Sequence, residues 1–573
     1  MLTRYTRLFH TVRYLKPGQI GWRLYYRLLR QRVRRQAMAP LGQAERRRWV
    51  DSWSAPTWMP PVLVGKGASN EFEFQFLGER GGLASTEDWN HPGKSKLWLY
   101  NLHYLDDLCA QDADERSVEH RALVQRWLDE NPPLVGNGWE PYTLSLRLVN
   151  LTKWLSGQQW QSGEPVPSPW LASLARQAQA LSAQREFHIL ANHLFANGKA
   201  LTFVGAFLQG EDAERWLRQG LDILDEQVPE QFLADGAHFE RSPMYHAALL
   251  WDLADLIHLS ECSGLVALRE RAAAWRSFLE RGLGWLQWMS HPDGEIGFFN
   301  DAAFGVAPTL ANLDAYAERL GLKILEPLAA TSIVTQGVRY AARHARESGY
   351  VAVEWDHGGK AIIDVAPVGP DYQPGHAHAD TLSFELSLFG QRVLVNSGTS
   401  QYGDNVERHR QRSTAAHNTV VVDNENSSEV WAGFRVARRA RPGPVRISVE
   451  EGSLTVQGSH DGYRRRPGRV EHRREWCIGD GRLTVADSLR GRFGQAKARF
   501  HCHPSVSLSL ADPKRGRLTL PSGQKISFSI EGGRAEVETT AWHPRFGVSQ
   551  ANQCLVVHFT HSDCLTRFSW AYS

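Results

Sequence analysis

Between Leu97 and Met289 apolar residues recur three and four positions apart, the spacing that lines one face of an α-helix. The pattern predicts helices over 117–130, 142–155, 169–181, 188–208, 213–227, 243–259 and 265–289. Pro243 suits a first helical turn, and Ser242 just before it is a fitting cap. Many consecutive helices with short connections imply pairs wound into a toroid or solenoid, although no fixed-period repeat marks a binding array. Near Arg343 the texture changes. Residues 351–354 and 360–364 are strand-like, and 453–456, 482–485, 518–520 and 526–529 alternate as half-buried antiparallel strands do, with Gly-rich turns between them. The predicted architecture is α+β and multidomain. It has a lead segment at 1–95 packing on the helices, a helical domain at 96–342 and an antiparallel β-sandwich at 343–573. A ligand is expected in the groove between the two halves.

Composition narrows the classes. A chain of 573 residues exceeds one compact core, and 42% hydrophobic with 22% charged residues is globular content. The net charge of +3 gives no global field for nucleic acid. No P-loop, strand-linked GxGxxG or recognition-helix signature is present, so nucleic-acid and nucleotide partners are not expected. The 21 tryptophans can stack on sugar rings, but helical cores take most of them. Six cysteines without a CxxC pair argue against a zinc module or a disulfide framework and fit a reducing compartment. No stretch reaches the roughly 18 apolar residues that span a bilayer, and no apolar leader opens the chain. Residues 1–36 instead carry ten Lys or Arg and no acidic residue, interleaved with Leu8, Tyr14, Trp22, Leu24, Tyr25 and Leu28. Two readings fit that composition: helices docked on the main body, or a peripheral contact with an anionic membrane surface. The expected location is the cytoplasm or the inner membrane face, with the periplasm left open.

The densest chemistry lies in Gly375-His376-Ala377-His378-Ala379-Asp380, which reads as the opening of a strand. Alternation sets His376, His378 and Asp380 on one side, with Leu382, Phe384, Leu386 and Leu388 further along that register. Residues 393–395 read as the return strand, and 419–422, after His417-Asn418, as a third. Three imidazoles and a carboxylate would then meet near one end of a small antiparallel sheet. In the helical half, the turn at 137–142 puts Trp139 and Glu140 at a rim. His188 and Asn192 share one helix face, as do His193 and Asn197. Glu240, Arg241 and Tyr245 fall in a third stretch, and a fourth runs from His291 to Asn300-Asp301. Polar residues this dense in an apolar helix need either partners or a substrate. The bland alternatives are helix-to-helix hydrogen bonds for Asn192-His193 and amphipathic packing for Tyr245.

Together these stretches resemble the heparinase II/III family of polysaccharide lyases and its alginate-lyase relatives, from about Leu97 to Asp423 with a looser β remainder. The specific pieces are Asn192-His193, the segment from Glu240 to Tyr245, and HAHAD followed by NSGTSQYG and AAHNTVVVD. The resemblance implies an incomplete α/α toroid followed by an antiparallel β-sandwich. It also implies cleavage of a uronate-containing acidic polysaccharide by β-elimination, with no required cofactor. Asn192 and His193 match the positions that neutralise the uronate carboxylate. Tyr245 matches the tyrosine that serves as base, acid or both, and His376 the second acid/base. Trp139, Glu140, His188, Glu240 and Arg241 would line the groove, and Arg241, if close, would lower the Tyr245 pKa. Some members carry a structural zinc, whose ligands by position would be His378, Asn396 and His417. The family usually has an aspartate where this chain has Asn396, and an amide oxygen is a weaker, neutral ligand. Without metal, His417 would hydrogen-bond within the sheet. The RYLKPGQIGWRLYYRL stretch looks like the lead segment of unsecreted relatives associated with surface-polysaccharide synthesis.

Two other classes compete. A glycan-binding or assembly factor would keep the groove but would not need Tyr245 and His376, which are both present. A glycoside hydrolase needs two convergent carboxylates, for which Glu140, Glu186, Glu240 and Asp301 are candidates.

Overall fold

Helices dominate the chain up to Arg319, and strands dominate it from Thr331 onward. The first half also holds a small antiparallel sheet of Leu63–Lys66, Phe72–Phe76 and Glu79–Leu83, and a two-residue pairing of Glu45–Arg46 with Leu208–Gln209. The computed structural model describes residues 2–66, 71–161, 165–322, 330–450 and 452–572. The helices follow the apolar period: Ser117–Glu130, Pro141–Leu155, Ser168–Ala183, Ala191–Phe207, Glu211–Gln231, Pro243–Ser263 and Val266–Trp288. Lys96–Tyr104 and Leu310–Arg319 add to them. They form an incomplete toroid around Ala191–Phe207, which is buried at every position except His193. A helix buried all round has no polar face to solvent, so its polar side chains must find partners inside. Gly205 lets it approach the next helix closely, since a Cβ there would lie 2.5 Å from the Leu217 backbone nitrogen.

The second half is antiparallel throughout. No parallel pairing occurs among the described residues. One short helix, Val406–Gln411, interrupts it. An eight-stranded and a six-stranded sheet, joined by a four-stranded one, share a core that includes Leu386, Trp476 and Phe568. Strand Ser453–His460 alternates buried and half-buried positions, whereas Gly359–Asp364 and Phe384–Leu388 are buried at every position. The reason is a second packing partner. The far face of the six-stranded sheet meets the toroid through Trp285, Phe299, Tyr350 and Ile362. Polar residues on that face are paired: Glu385 and Ser387 hold the two ring nitrogens of His291 at 2.9 and 2.8 Å.

The expected strand at His376 is corrected. Ladder pairing begins only at Phe384, and Leu382 has a φ of 65°. The backbone of 376–380 instead pairs with loops, as in Asp301 N–H to His376 O (2.9 Å) and Ala379 N–H to Arg412 O (2.9 Å).

The lead segment forms helices Leu2–Val12, Pro17–Leu28 and Arg30–Ala37, which bridge both halves. Trp22 stacks on Phe187 at 4.9 Å and Tyr26 donates to the Arg185 carbonyl, both on the toroid. The Trp431 indole donates to Thr11 at 3.2 Å, and Arg439 lies 4.0 Å over the Tyr14 ring, both from the sandwich. No helix among the described residues is long and apolar enough to cross a membrane.

Candidate active site

The site is assembled at the seam. Ser242 accepts the Tyr245 N–H at 3.2 Å and so caps the helix that presents Tyr245. From the sandwich side His376 lies against it, with ring centroids 3.9 Å apart. The Tyr245 hydroxyl is 2.8 Å from that of Tyr402. Burial first, then Tyr402, Tyr142 and Asp301, hold the Tyr245 pKa well above its ordinary value, so the phenol keeps its proton.

Asp301 organises this side. His376 Nδ1 donates to it at 2.8 Å, His378 Nε2 at 2.9 Å and Thr399 at 3.1 Å. Arg408 grips both of its oxygens, with Nη2 at 2.7 Å. Burial alone would raise the Asp301 pKa. Arg408 and the two imidazoles override that and hold it well below the usual range. With Nδ1 carrying the proton, His376 Nε2 has its lone pair free; the Glu240 carboxylate stands 3.8 Å from that nitrogen.

Across the cleft, His193 Nδ1 donates to Glu186 at 2.9 Å, and Asn197 donates to the other Glu186 oxygen at 3.1 Å. Burial works to lower the His193 pKa, but Glu186 outweighs it and raises the value. Asn192 is buried beside it and gives its backbone N–H to Glu240, whose pKa is raised by burial. Leu190 and Ala191, just before Asn192, have φ of 71° and 52°, and Arg241 and Asn300 have 59° and 56°. Non-glycine residues in this region cost about 1–3 kcal/mol each and gather where geometry matters more than stability.

Asn192, His193, Tyr245, His376 and Glu240 thus come together; the other expected groove residues do not. Trp139 is in the toroid core, 5% exposed, with its indole N–H on the Asn131 carbonyl, because the turn folds inward there. Glu140 pairs with Lys96 at 2.9 Å and accepts from Tyr100. His188 precedes the helix, which starts at Ala191, and its ring packs 5.3 Å from Tyr26 of the lead segment. Arg241 turns its guanidinium to the Ser348 carbonyl at 2.8 Å, so it gives Tyr245 no cationic help. The sequence reading missed Tyr402 and Arg408. Tyr402 stands inside the NSGTSQYG stretch already singled out, but nothing in the run from Glu407 to Arg412 marks which arginine turns inward.

The metal expectation changes at one ligand. Asn396 donates to the Phe298 carbonyl (2.9 Å) and accepts the Asn418 N–H (3.0 Å), so its amide is committed at both ends. Asp380, His378 and His417 instead bring their ligand atoms within 4.8 Å of one another, all buried. His378 Nδ1 and His417 Nε2 are 3.1 Å apart. The far nitrogens, His378 Nε2 and His417 Nδ1, face the Asp301 carboxylate and the Ser413 carbonyl (2.7 Å). Those acceptors take the protons and leave two lone pairs facing each other, and burial lowers both pKa values, that of His378 to about 4. Two neutral imidazoles with outer partners, plus a carboxylate, fit a divalent cation such as zinc.

A helical toroid is met on one face by an antiparallel sandwich, and the rings of Tyr245 and His376 face each other at the seam. A crystal structure of heparinase III matches this fold with a TM-score of 0.64 at 17% identity, over 87% of this chain and 80% of the other. A heparan sulfate lyase mutant from Pedobacter heparinus matches with 0.57 at 17%, over 87% and 81%. Models of the heparinase II/III N-terminus and of the heparinase II/III-like C-terminal region match residues 123–319 and 338–571. The chain belongs to the heparinase II/III family. A heparin-sulfate lyase of Bacteroides stercoris is 25% identical over 327 residues, 55% of this chain and 47% of the relative. One from Bacteroides thetaiotaomicron is 23% identical over 351 residues. The chain spans about half the length of the curated relatives it matches.

Proposed function

We propose that the protein is a polysaccharide lyase that cleaves a uronate-containing acidic polysaccharide by β-elimination, in surface or exopolysaccharide metabolism. The observation that carries this reading is the 3.9 Å approach of the Tyr245 and His376 rings across the seam. Asn192 and the His193 imidazolium neutralise the uronate carboxylate, and preorganised donors of this kind lower the barrier by several kcal/mol (order of magnitude). His376 Nε2 takes the C5 proton. The electron pair forms the C4–C5 double bond, the C4–O bond breaks, and Tyr245 gives its proton to the leaving oxygen. Tyr402 restores the Tyr245 hydrogen bond, and Arg408 and Asp301 hold His376 in the tautomer it needs. A divalent cation held by His378, Asp380 and His417 would neutralise the buried carboxylate and tie the His376 loop to the His417 strand.

The hydrolase alternative lacks a free carboxylate pair. Asp301, Glu186 and Glu140 are each tied to donors, which leaves Glu240 alone. Incubation with a panel of uronate polysaccharides, followed by ultraviolet absorbance of the unsaturated product, tests the reading. Binding without any unsaturated product would leave a glycan-binding factor.

An anionic membrane surface at the cytoplasmic face is the second partner we propose. Its support is a stripe of exposed Tyr5, Leu8, Phe9 and Val12 on the first helix and Ile20, Leu24 and Leu28 on the second, within a segment that has no acidic residue. Leu24→Asp with Leu28→Asp should abolish sedimentation with anionic vesicles. Unchanged sedimentation would end this second reading.

A further inference from the structure

Asn192-His193 and His376 are presented by two loops, one from each half of the chain. Residues 185–190 turn into the helix that opens at Ala191, and Glu186 in that turn holds His193 at 2.9 Å. Residues 370–375 run into His376 on the sandwich side. Neither loop has a helix or a strand ladder of its own. A side chain that ties one loop to the other therefore sets the separation between the carboxylate-binding pair and the base.

Gln19 reaches both loops. It lies in the first turn of helix Pro17–Leu28, whose other residues are half-buried or exposed, yet Gln19 is only 1% exposed. The position that docks deepest is thus an amide, where an amphipathic helix would place an apolar side chain. Its nitrogen donates to the Ile189 carbonyl at 3.3 Å and to the Tyr372 carbonyl at 3.4 Å. Its oxygen accepts the Lys16 N–H at 2.9 Å, so both donors and the acceptor are committed. Ile189 precedes Asn192 by three residues, and Tyr372 precedes His376 by four. The helix also grips each loop separately. Trp22 stacks on Phe187 at 4.9 Å and Arg23 donates to the His188 carbonyl at 3.4 Å. On the other side Lys16 lies 3.9 Å over the Tyr372 ring, and both Lys16 and Tyr372 donate to Glu230.

We infer that Gln19 is a positioning residue for the elimination, a fork that holds the Asn192-His193 loop at a fixed separation from the His376 loop. This rests on the lyase reading of the seam. The C5 proton must stand within reach of His376 Nε2 while Asn192 and His193 hold the neighbouring carboxylate. A shift of about 1 Å between the loops spoils that alignment, and misplacement of this size costs about 10²-fold.

Two substitutions test the fork. Gln19→Met removes both donors at similar length, and Gln19→Glu removes both while keeping an acceptor for the Lys16 N–H. Trp22, Arg23 and Lys16 keep the helix docked in each. Arg176→Met is the matched control, since it strips the donor from the Ala37 and Ala39 carbonyls and loosens the lead segment away from the seam. Kinetics on a uronate polysaccharide give one readout, and hydrogen exchange of the amides in 186–190 and 373–377 gives another that needs no substrate. Both Gln19 variants should lose kcat by about 10- to 10²-fold with KM within a few-fold, and exchange should quicken in both loops together. Arg176→Met should change neither readout. Wild-type kcat in the Gln19 variants, a loss confined to KM, an equal loss in Arg176→Met, or exchange that quickens in fewer than both loops overturns the inference. Quickened exchange in both loops, with no unsaturated product from the wild type on any polymer of the panel, leaves the tie between the loops standing and removes the lyase reading.

Discussion

Two buried aspartates each gather positive or polar donors, and they do different things with them. Asp255, inside the toroid, accepts from Lys153, Lys199 and Tyr316. Asp301, at the seam, accepts from Arg408, His376, His378 and Thr399. The lysines end at Asp255 and Asp252, so that cluster balances charge and, with Tyr316, holds four helices together. The histidines do not end at Asp301. Each spends one nitrogen on it and turns the other elsewhere, His376 toward the cleft and His378 toward His417. A carboxylate that fixes an imidazole tautomer shapes reactivity at a distance, whereas one that pairs ammonium groups shapes only stability and local field.

Asp301→Asn and Asp255→Asn should break that comparison most sharply. An amide at 301 cannot accept from every donor that faces it, and it leaves Arg408 buried without its counter-charge. Folding stability should fall by about 3–5 kcal/mol, and turnover of the surviving folded protein by about 10³- to 10⁴-fold, as the base loses its tautomer. Asp255→Asn should cost similar stability yet leave kcat within a few-fold. Equal losses of kcat in the two folded variants would show that Asp301 has no role beyond packing. The Asp255 pKa is depressed in the folded state, since Lys153 and Lys199 outweigh burial. Its contribution is therefore present above the unfolded value near 3.8 and lost as pH falls through the folded one, and acid melts of the wild type should show that loss while Asp255→Asn does not.

Tyr245→Phe comes next. It removes one hydroxyl and keeps the ring beside His376, so kcat should fall by about 10² to 10⁴ with little change in KM. Near-normal elimination by this variant would make Tyr245 a packing residue. A smaller effect is expected of Glu186→Gln. Glu186 raises the His193 pKa, so the imidazolium survives to higher pH in the wild type. The variant should lose activity at lower pH on the basic limb of its profile, and an unmoved limb would show that the His193 charge is not used.

The helical half was the more legible of the two. Its apolar period located seven helices to within a few residues, and the Ser242 cap that presents Tyr245 was visible as Ser-Pro before an apolar run. Asn192-His193 stood out because polar residues are expensive in a helix buried all round. In the sandwich half, alternation put His376 and His378 on one side, and both do reach Asp301, although no strand forms there. What could not be read was which distant loop closes on which. Arg408 is one of several arginines in a short run, and its pairing with Asp301 spans 107 residues without periodic pattern. Trp139 failed for a related reason: a tryptophan in a turn faces solvent or core according to neighbours that the local sequence does not name.

The smallest effect on rate should come from the imidazole pair, and it sharpens how far the reach of Asp301 extends. Asp301 takes the proton of His378 Nε2 and so points the Nδ1 lone pair at His417, whose own outer nitrogen faces the Ser413 carbonyl. Two lone pairs 3.1 Å apart repel unless a cation or a proton lies between them, and Asp380 is the nearby carboxylate. Elemental analysis of protein purified without chelator should therefore find zinc near one equivalent. Asp380→Asn should lower that content severalfold, because an amide replaces the only charged ligand. Asn396→Ala should leave the content unchanged while costing about 1–3 kcal/mol of stability, since it strips partners from the buried Phe298 carbonyl and Asn418 N–H. Loss of metal in Asn396→Ala, with Asp380→Asn unaffected, would return the ligand to position 396. Less than about a tenth of an equivalent in the wild type would mean that a shared proton, not a metal, bridges the pair.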